Sequence, residues 1–321
     1  MKLKLKGGSL SGTYLIQNVD GRRFVRKEVS LTKNREYGYN RWYSQLKRMQ
    51  RYEILFPGMF PLICGYGVDG DMAYYDMEYM GEKSINAYHF LKIETNKEDI
   101  KKFCNKLIKS MHLLHDSHFP LRMPVSSLEL YFHQEVSQKL YDCQSNLRFW
   151  DFLKHKEIIL NGEAIPSLFY RLDEFKKVFM GMDFHVQDGF THGNLTLENI
   201  LYNPGNGAVT FIDPYEENII DSKICDYSQI LQSCHSKYEM YNETTPVING
   251  NTIEVPVPEN AGIAYFNKLF LEFLGARHHI IDLFEISQFV RMLPFKMNVD
   301  ENKMFLFYAI ASKKFNDFMK M

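Results

Sequence analysis

The residues best suited to chemistry cluster in one stretch of the chain. The run His192-Gly193-Asn194 is followed by Asn199, and Asp213 comes directly after the apolar, β-branched segment 208–212. Residues 203–207 read Asn-Pro-Gly-Asn-Gly, which is turn chemistry, so we expect the segment to be a strand entered from a hairpin. An amide oxygen and a carboxylate converging there are hard ligands of the kind Mg²⁺ binds, with phosphate and water completing its shell. The pattern therefore predicts a magnesium site.

This pattern resembles the catalytic signature of the aminoglycoside phosphotransferase and choline kinase-like family, His-Gly-Asp-x-x-x-x-Asn followed by Ile-Asp. The matching positions are His192 to Asn194, Asn199 and Ile212-Asp213. The resemblance implies a protein-kinase-like fold, ATP as phosphoryl donor, Mg²⁺ on Asn199 and Asp213, and a His192 ring that braces the loop by hydrogen bonds. The stretch from Ile212 to Glu239 is most similar to sugar-kinase-like members found among genes for cell-surface polysaccharide.

One position departs from the family pattern. The residue that would accept the proton of the attacking hydroxyl is Asn194, where the family has Asp. An amide has no basic lone pair near neutral pH and cannot act as a general base. Two interpretations stay open: a natural variant with impaired chemistry, or a substitution made to trap a complex.

Three strands are predicted near the N-terminus to position nucleotide phosphates. They cover residues 3–5, 13–17 and 23–29, with Asp-Gly at 20–21 as a hairpin signal. The first two strands are joined by a glycine-rich turn, whose backbone N–H groups can lie over phosphates. A plain hairpin is the alternative, but the order of motifs favours a phosphate cradle. Its predicted residues are Gly7, Gly8, Ser9 and Ser11.

The third strand carries two adjacent cations, Arg26 and Lys27. Neighbouring residues in a strand point to opposite faces, so only one of them can reach the nucleotide. Phe24-Val25-Arg26-Lys27 is similar to the kinase Val-Ala-Ile-Lys, which favours Lys27 as the group that binds the α- and β-phosphates. Arg26 remains the alternative, because relatives can use arginine there.

A helix is predicted from Thr32 to Tyr52, because apolar residues recur at three- and four-residue spacing. The resemblance implies that this helix supplies a glutamate to pair with the strand lysine, and Glu36 is the candidate. An exposed first-turn glutamate favoured by the helix dipole is the alternative. The strand 73–81 resembles the segment joining the two kinase lobes, where backbone groups near Glu78 and Met80 would hydrogen-bond adenine.

The remainder of the chain is predicted to be mostly helical. The aromatic-rich stretch 124–188 lies where this fold commonly builds its acceptor pocket, although aromatics at helical spacing are more often plain core. The predicted segments are a helix at 96–117, mainly helices at 124–188, a helix at 221–231, a loop or hairpin at 243–262, and amphipathic helices at 266–318.

Composition narrows the classes of protein. The 321 residues, 45% of them hydrophobic, can bury one large core or two modest ones. The formal net charge of -1 gives no global basic field for nucleic acid or an anionic membrane. Five scattered cysteines fit free thiols in a reducing compartment, and the N-terminus has no apolar signal region. We therefore expect a soluble, cytoplasmic protein without nucleic-acid partners or membrane insertion.

Together these features predict an α+β, bilobal protein-kinase-like fold. Residues 1–78 would form the nucleotide-binding lobe, an antiparallel sheet with one helix, and residues 79–321 a mostly helical lobe for catalysis and acceptor binding. The predicted function is ATP- and Mg²⁺-dependent phosphoryl transfer to a hydroxyl of a sugar, polyol, aminoglycoside or choline-type acceptor. The alternative is a nucleotide-binding pseudokinase that acts as a scaffold or regulator. The choice of ATP over GTP and the oligomeric state stay open.

Overall fold

The computed structural model describes residues 1–5, 12–32, 35–117, 121–122, 125–181, 187–215 and 218–321. The strands are β1 (Lys2–Lys4), β2 (Gly12–Gln17), β3 (Arg23–Ser30), β4 (Ile63–Asp69), β5 (Met72–Glu78), β6 (Ile85–Asn86), β7 (Leu121–Arg122), β8 (Glu157–Leu160), β9 (Glu163–Pro166), β10 (Gln187–Asp188), β11 (Ile200–Asn203), β12 (Ala208–Phe211), β13 (Val247–Asn249) and β14 (Thr252–Glu254).

The helices follow in chain order. They are α1 (Arg35–Leu55), α2 (Ala87–Ile93), α3 (Lys97–His115), α4 (Val125–Phe132), α5 (Gln138–Asp142), α6 (Leu147–Leu153), α7 (Leu172–Gly181), α8 (Lys223–Cys234), α9 (Tyr238–Asn242), α10 (Ala261–Leu274), α11 (His278–Arg291), α12 (Leu293–Val299) and α13 (Glu301–Phe318). The predicted α+β class is confirmed, with an antiparallel sheet near the N-terminus and a largely helical remainder.

The chain divides into two compact units, and each is discontinuous in sequence. The first unit comprises Met1–Ser117 and His192–Asn218, and the second comprises His118–Thr191 and Ile219–Met321. The first unit therefore contains β1 to β6, α1 to α3, β11 and β12. The predicted kinase-type division between residues 78 and 79 stays a prediction.

The first unit is built on a five-stranded antiparallel sheet in the order β1-β2-β3-β5-β4. Along β3, Val25, Lys27 and Val29 are buried, whereas the residues between them are partly exposed. This period of two assigns one face of the strand to the core. Lys27 is thus carried into the interior by the same alternation that buries its valine neighbours.

Helix α1 packs against β3 and β5 through residues at helical spacing. Trp42, Leu46 and Met49 are buried as their spacing predicts, but Tyr39 and Tyr43 are exposed. The two tyrosines stack on each other instead, with ring centroids 6.0 Å apart. The helix also begins at Arg35 and ends at Leu55, three residues later at each end than predicted.

A second, smaller sheet in the first unit has the order β12-β11-β6. Strands β11 and β12 form the predicted hairpin across residues 203–207, with Ile200 opposite Phe211. The N–H of Phe211 also donates to the carbonyl of Met59, at 2.7 Å, in the segment after α1. This hydrogen bond joins the end of β12 to the segment between α1 and β4 of the same unit.

The second unit has an aromatic-rich core and a four-stranded sheet, β13-β14-β8-β9. The hairpin of β8 and β9 lies in the region predicted to be mainly helical, so that prediction is wrong for residues 157–166. Asn161 and Gly162 form its turn, with φ values of 49° and 81°. Asn-Gly between apolar runs is a strong hairpin signal because both residues tolerate positive φ. The predicted hairpin near residue 250 is confirmed as β13 and β14.

Candidate active site

Lys27 lies at the centre of the candidate site, inside the first unit. Its Nζ forms an ion pair with the carboxylate of Asp213 and donates to Oε1 of Gln45 at 3.0 Å. Its side chain is only 10% exposed, whereas that of Asp213 is 30% exposed. A buried ammonium needs compensating oxygen atoms, and these two residues supply them. The structure thus unites a residue of β3 with one that follows β12.

Asp213 has an unusual backbone. Its φ is 59°, in the left-handed region that non-glycine residues seldom adopt. This conformation costs about 1 kcal/mol or more and persists where neighbouring contacts impose it. Such contacts are present here, because Gln45 donates to Asp213 Oδ1 at 2.6 Å and Lys27 pairs with the same oxygen. The carboxylate is therefore held in place against a local conformational preference.

Gln45, in the middle of α1, connects the two charged residues and was missed by the sequence analysis. Its Oε1 accepts hydrogen bonds from Lys27 and from the hydroxyl of Tyr75, the latter at 2.9 Å. Its Nε2 donates to Asp213 and to the carbonyl of Pro214, the latter at 3.0 Å. A polar residue on the buried stripe of α1, next to Leu46, was the signal that could have identified it.

Two predicted parts of the site lie outside the described residues. One is the phosphate cradle formed by Gly7, Gly8, Ser9 and Ser11. The other is the side chain of Glu36, of which only the backbone position within α1 is described. On the described part of α1, the residue that contacts the strand lysine is the neutral Gln45.

Arg26 points to the opposite face of the sheet, as strand alternation predicts. Its guanidinium donates to both oxygens of Asp76 on β5, at 2.7 and 2.8 Å, and stacks on Tyr74 at 3.9 Å from the ring centroid. The hydrogen bond with Asp76 raises the pKa of Arg26 further above its ordinary value. Lys27, not Arg26, is the cation that the structure brings to Asp213.

The His192 ring is buried and braces the loop that precedes β11. Its Nε2 lies 2.9 Å from the carbonyl oxygen of Ile212, and its Nδ1 accepts the N–H of Asn194 at 3.2 Å. These partners require the tautomer protonated at Nε2. The His192 carbonyl in turn accepts the N–H of Tyr215 at 2.8 Å. His192 thus joins the loop to the segment that contains Asp213.

Asn194 and Asn199 are linked within the same loop. Asn199 lies in a 3₁₀ turn, Leu197–Asn199, and its Nδ2 donates to the Asn194 carbonyl at 2.7 Å. Asn194 donates from its own Nδ2 to the Asp213 carbonyl at 3.3 Å. Among the described residues, nothing donates to Oδ1 of Asn199, so this oxygen can serve a cation. Asn199 and Asp213 therefore carry oxygen donors suited to Mg²⁺.

Glu78 and Met80 lie where β5 ends. The N–H of Glu78 donates to the Leu62 carbonyl at 2.9 Å, and the Met80 carbonyl accepts from Lys83 and Ser84 at 3.3 and 3.1 Å. Within the described ranges the N–H of Met80 has no acceptor. This N–H lies among the predicted adenine contacts and is able to donate to a ligand.

A second group of possible metal ligands lies in the second unit. His235, Asp282 and Glu285 place ligand atoms within 4.8 Å of one another. However, Nζ of Lys314 lies 3.0 Å from Glu285 and 3.2 Å from His235 Nδ1. The ammonium takes the position of a cation among these side chains. We therefore interpret this group as a buried ion-pair cluster rather than as a metal centre.

Comparison with known proteins assigns no family to this chain: no family model matches it, and no curated protein matches it either. Within the described residues, no helix is both long enough and apolar enough to cross a lipid bilayer.

Proposed function

We propose that this protein is an ATP- and Mg²⁺-dependent phosphotransferase acting on a hydroxyl of a small molecule, with a bilobal kinase-like fold. The observation that carries the proposal is the convergence of Lys27, Gln45 and Asp213 from β3, α1 and the end of β12. A buried lysine paired with an aspartate whose backbone φ is positive is an arrangement more typical of a functional site than of a plain core.

Each residue has a role that its atoms can perform. Lys27 would bind α- and β-phosphate oxygens, and Met80 N–H would bind the adenine edge. Asn199 and Asp213 would hold Mg²⁺, which supplies neutralisation of charge on the phosphates. Because catalysis of phosphoryl transfer depends largely on positioning and electrostatics, these residues can support turnover without a general base.

Asn194 would contact the acceptor hydroxyl. Its backbone is fixed by His192 and Asn199, so its side chain has a defined position beside Asp213. An amide can orient a hydroxyl by hydrogen bonding but cannot remove its proton. We therefore expect slow turnover by this chain. The proposed acceptor classes are sugars, polyols, aminoglycosides and choline-type molecules.

The second candidate function is a nucleotide-binding pseudokinase that acts as a scaffold or regulator. Asn194 in place of a base favours it, and so does the neutral Gln45 beside Lys27. Against it stand the two metal-ligand side chains, Asn199 and Asp213, which a chain without catalysis does not need.

The test is calorimetric titration of ATP, with and without Mg²⁺, into this protein and into Asn194→Asp. A phosphoryl-transfer screen of sugars, polyols, aminoglycosides and choline follows. The matched control is Asn203→Asp, the same change on β11. We expect all three proteins to bind MgATP and Asn194→Asp alone to gain turnover, by about 10²–10⁴-fold.

Two results would contradict the proposal in different ways. Absence of nucleotide binding by all three proteins would overturn the kinase interpretation altogether. Nucleotide binding without turnover of any acceptor by Asn194→Asp would favour the pseudokinase.

A further inference from the structure

Gln45 makes four hydrogen bonds, and their chemistry fixes the orientation of its amide. Lys27 Nζ can only donate, so it must face Oε1, and the Pro214 carbonyl can only accept, so it must face Nε2. The remaining pair is consistent with this orientation, because Tyr75 donates to Oε1 and Asp213 accepts from Nε2. Gln45 is also only 5% exposed, so water does not substitute for these partners.

No other kind of side chain could make this set of contacts. A carboxylate at position 45 could accept from Lys27, but it could not donate to Asp213 or to the Pro214 carbonyl. It would also place a second carboxylate against that of Asp213, because Gln45 Nε2 lies 2.6 Å from Asp213 Oδ1. The neutral amide therefore leaves Asp213 as the partner that balances the charge of Lys27 among the described contacts.

We infer that Gln45 is a positioning residue that keeps Lys27 on Asp213 until a nucleotide binds, so that Mg²⁺ reaches Asp213 only together with that nucleotide. The inference rests on the proposed function. Asp213 is the one carboxylate of the two predicted metal ligands, and Lys27 is already paired with it. Mg²⁺ added alone must therefore compete with the Lys27 ammonium for this carboxylate. Nucleotide phosphates give Lys27 other anionic partners, and Asp213 then becomes available to the metal.

The experiment compares the unaltered protein with Gln45→Glu and with Gln50→Glu, the same change elsewhere on α1. Three calorimetric titrations are made for each: Mg²⁺ alone, ADP with a chelator, and MgADP. In Gln45→Glu the new carboxylate draws Lys27 from Asp213 and adds a negative charge. We expect its affinity for Mg²⁺ alone to rise about tenfold and its affinity for metal-free ADP to fall about tenfold.

The opposite signs exclude a merely structural role, and Lys27→Met, which places no new carboxylate beside Asp213, tests the competition by the ammonium itself. If Gln45 only supported the fold, Gln45→Glu would weaken both ligands together and lower the melting temperature. Equal weakening of both ligands, or behaviour identical to Gln50→Glu, would overturn the inference while leaving the proposed function intact. Absence of ADP binding by the unaltered protein, with or without Mg²⁺, would overturn both.

Lys27→Met keeps the inference testable if Gln45→Glu does not fold. Removing the ammonium leaves Asp213 without this competitor, so we expect tighter binding of Mg²⁺ alone and weaker binding of metal-free ADP. Unchanged or weaker Mg²⁺ binding by Lys27→Met would contradict the inference, because the ion pair would then not be what keeps the metal away.

Discussion

The ammonium of Lys27 and the carboxylate of Asp213 form an ion pair, although 186 residues separate them in sequence. The pair is assembled within one unit by a strand of the N-terminal sheet and by the segment after β12. Together the two residues form a small site with both signs of charge, and the proposed binding of nucleotide phosphates and a divalent cation rests on this arrangement.

The first prediction concerns this lysine. Lys27→Met removes the proposed charge-assisted contact to phosphate, worth about 1.5–3 kcal/mol, so affinity for MgATP should fall roughly 10- to 100-fold. Arg26→Met is the matched control, because Arg26 binds Asp76 on the other face of β3. We expect it to lower stability but to leave MgATP affinity unchanged in calorimetry. Equal loss of affinity in the two variants would contradict the assignment of Lys27.

The second prediction concerns the metal. Asp213→Asn keeps the shape of the side chain, and asparagine tolerates positive φ, but the anionic ligand is lost. We expect Mg²⁺ no longer to strengthen ADP binding, while metal-free ADP binds at least as tightly because Lys27 is released. Asp76→Asn, a carboxylate on the opposite face, serves as the control. Metal-enhanced binding that survives in Asp213→Asn would exclude Asp213 as a ligand.

The third prediction concerns the loop that contains Asn194. Gly193 has a φ of 74°, and a Cβ there would overlap the side-chain amide of Asn218. Gly193→Ala therefore combines an unfavourable backbone with displacement of the Asn218 amide, which donates to the Tyr215 carbonyl at 3.2 Å, and we expect a loss of about 2 kcal/mol in the free energy of unfolding. Gly58 has a φ of 79° but open space around it, so Gly58→Ala should cost only about 1 kcal/mol. Urea denaturation of both variants measures the difference.

The fourth prediction concerns acid stability of the second unit. Burial raises the pKa of Glu285, but Lys314 and His235 outweigh burial and hold that pKa at about 2. Because this value is below that of the unfolded chain, near 4.3, the carboxylate stabilises the fold above pH ~4 and loses that effect as pH falls toward 2. The contribution is on the order of 3 kcal/mol.

Lys314→Met tests this prediction directly. It leaves a fully buried carboxylate without its ammonium partner, so we expect about 3 kcal/mol of destabilisation at neutral pH and a smaller difference from the unaltered protein near pH 3. Lys313→Met is the neighbouring control. Its pairs with Glu163 and Asp317 are solvent-exposed, so it should cost under about 1 kcal/mol. A constant difference across pH would show that Glu285 does not titrate as described.

Structural features that depend on residues close together in the sequence, such as strand alternation and turns, were predictable. The alternation along β3 correctly placed Arg26 and Lys27 on opposite faces, and the turn at 203–207 correctly joined two strands. The partner of Lys27 on α1 was not predictable in the same way. Helical periodicity marks position 45 as buried, but only the packing of α1 on the sheet shows which side chains meet there. The hairpin at Asn161-Gly162 was overlooked because neighbouring aromatic residues suggested helix.

The discontinuity of the first unit affects how the site forms during synthesis. Residues 1–117 belong to the same compact unit as residues 192–218, which leave the ribosome only after residues 118–191. The sheet that carries Lys27 ends at Glu78 and β12 ends at Phe211, so at synthesis rates of about 5–20 residues per second the sheet waits roughly 7–27 s for the strands that precede Asp213. During that interval the incomplete first unit contains Lys27 without its partner Asp213, and its apolar core residues lack the contacts that β11 and β12 later provide. A nascent chain of this kind is an expected client for chaperones, and its charged site is among the last parts of the unit to be completed.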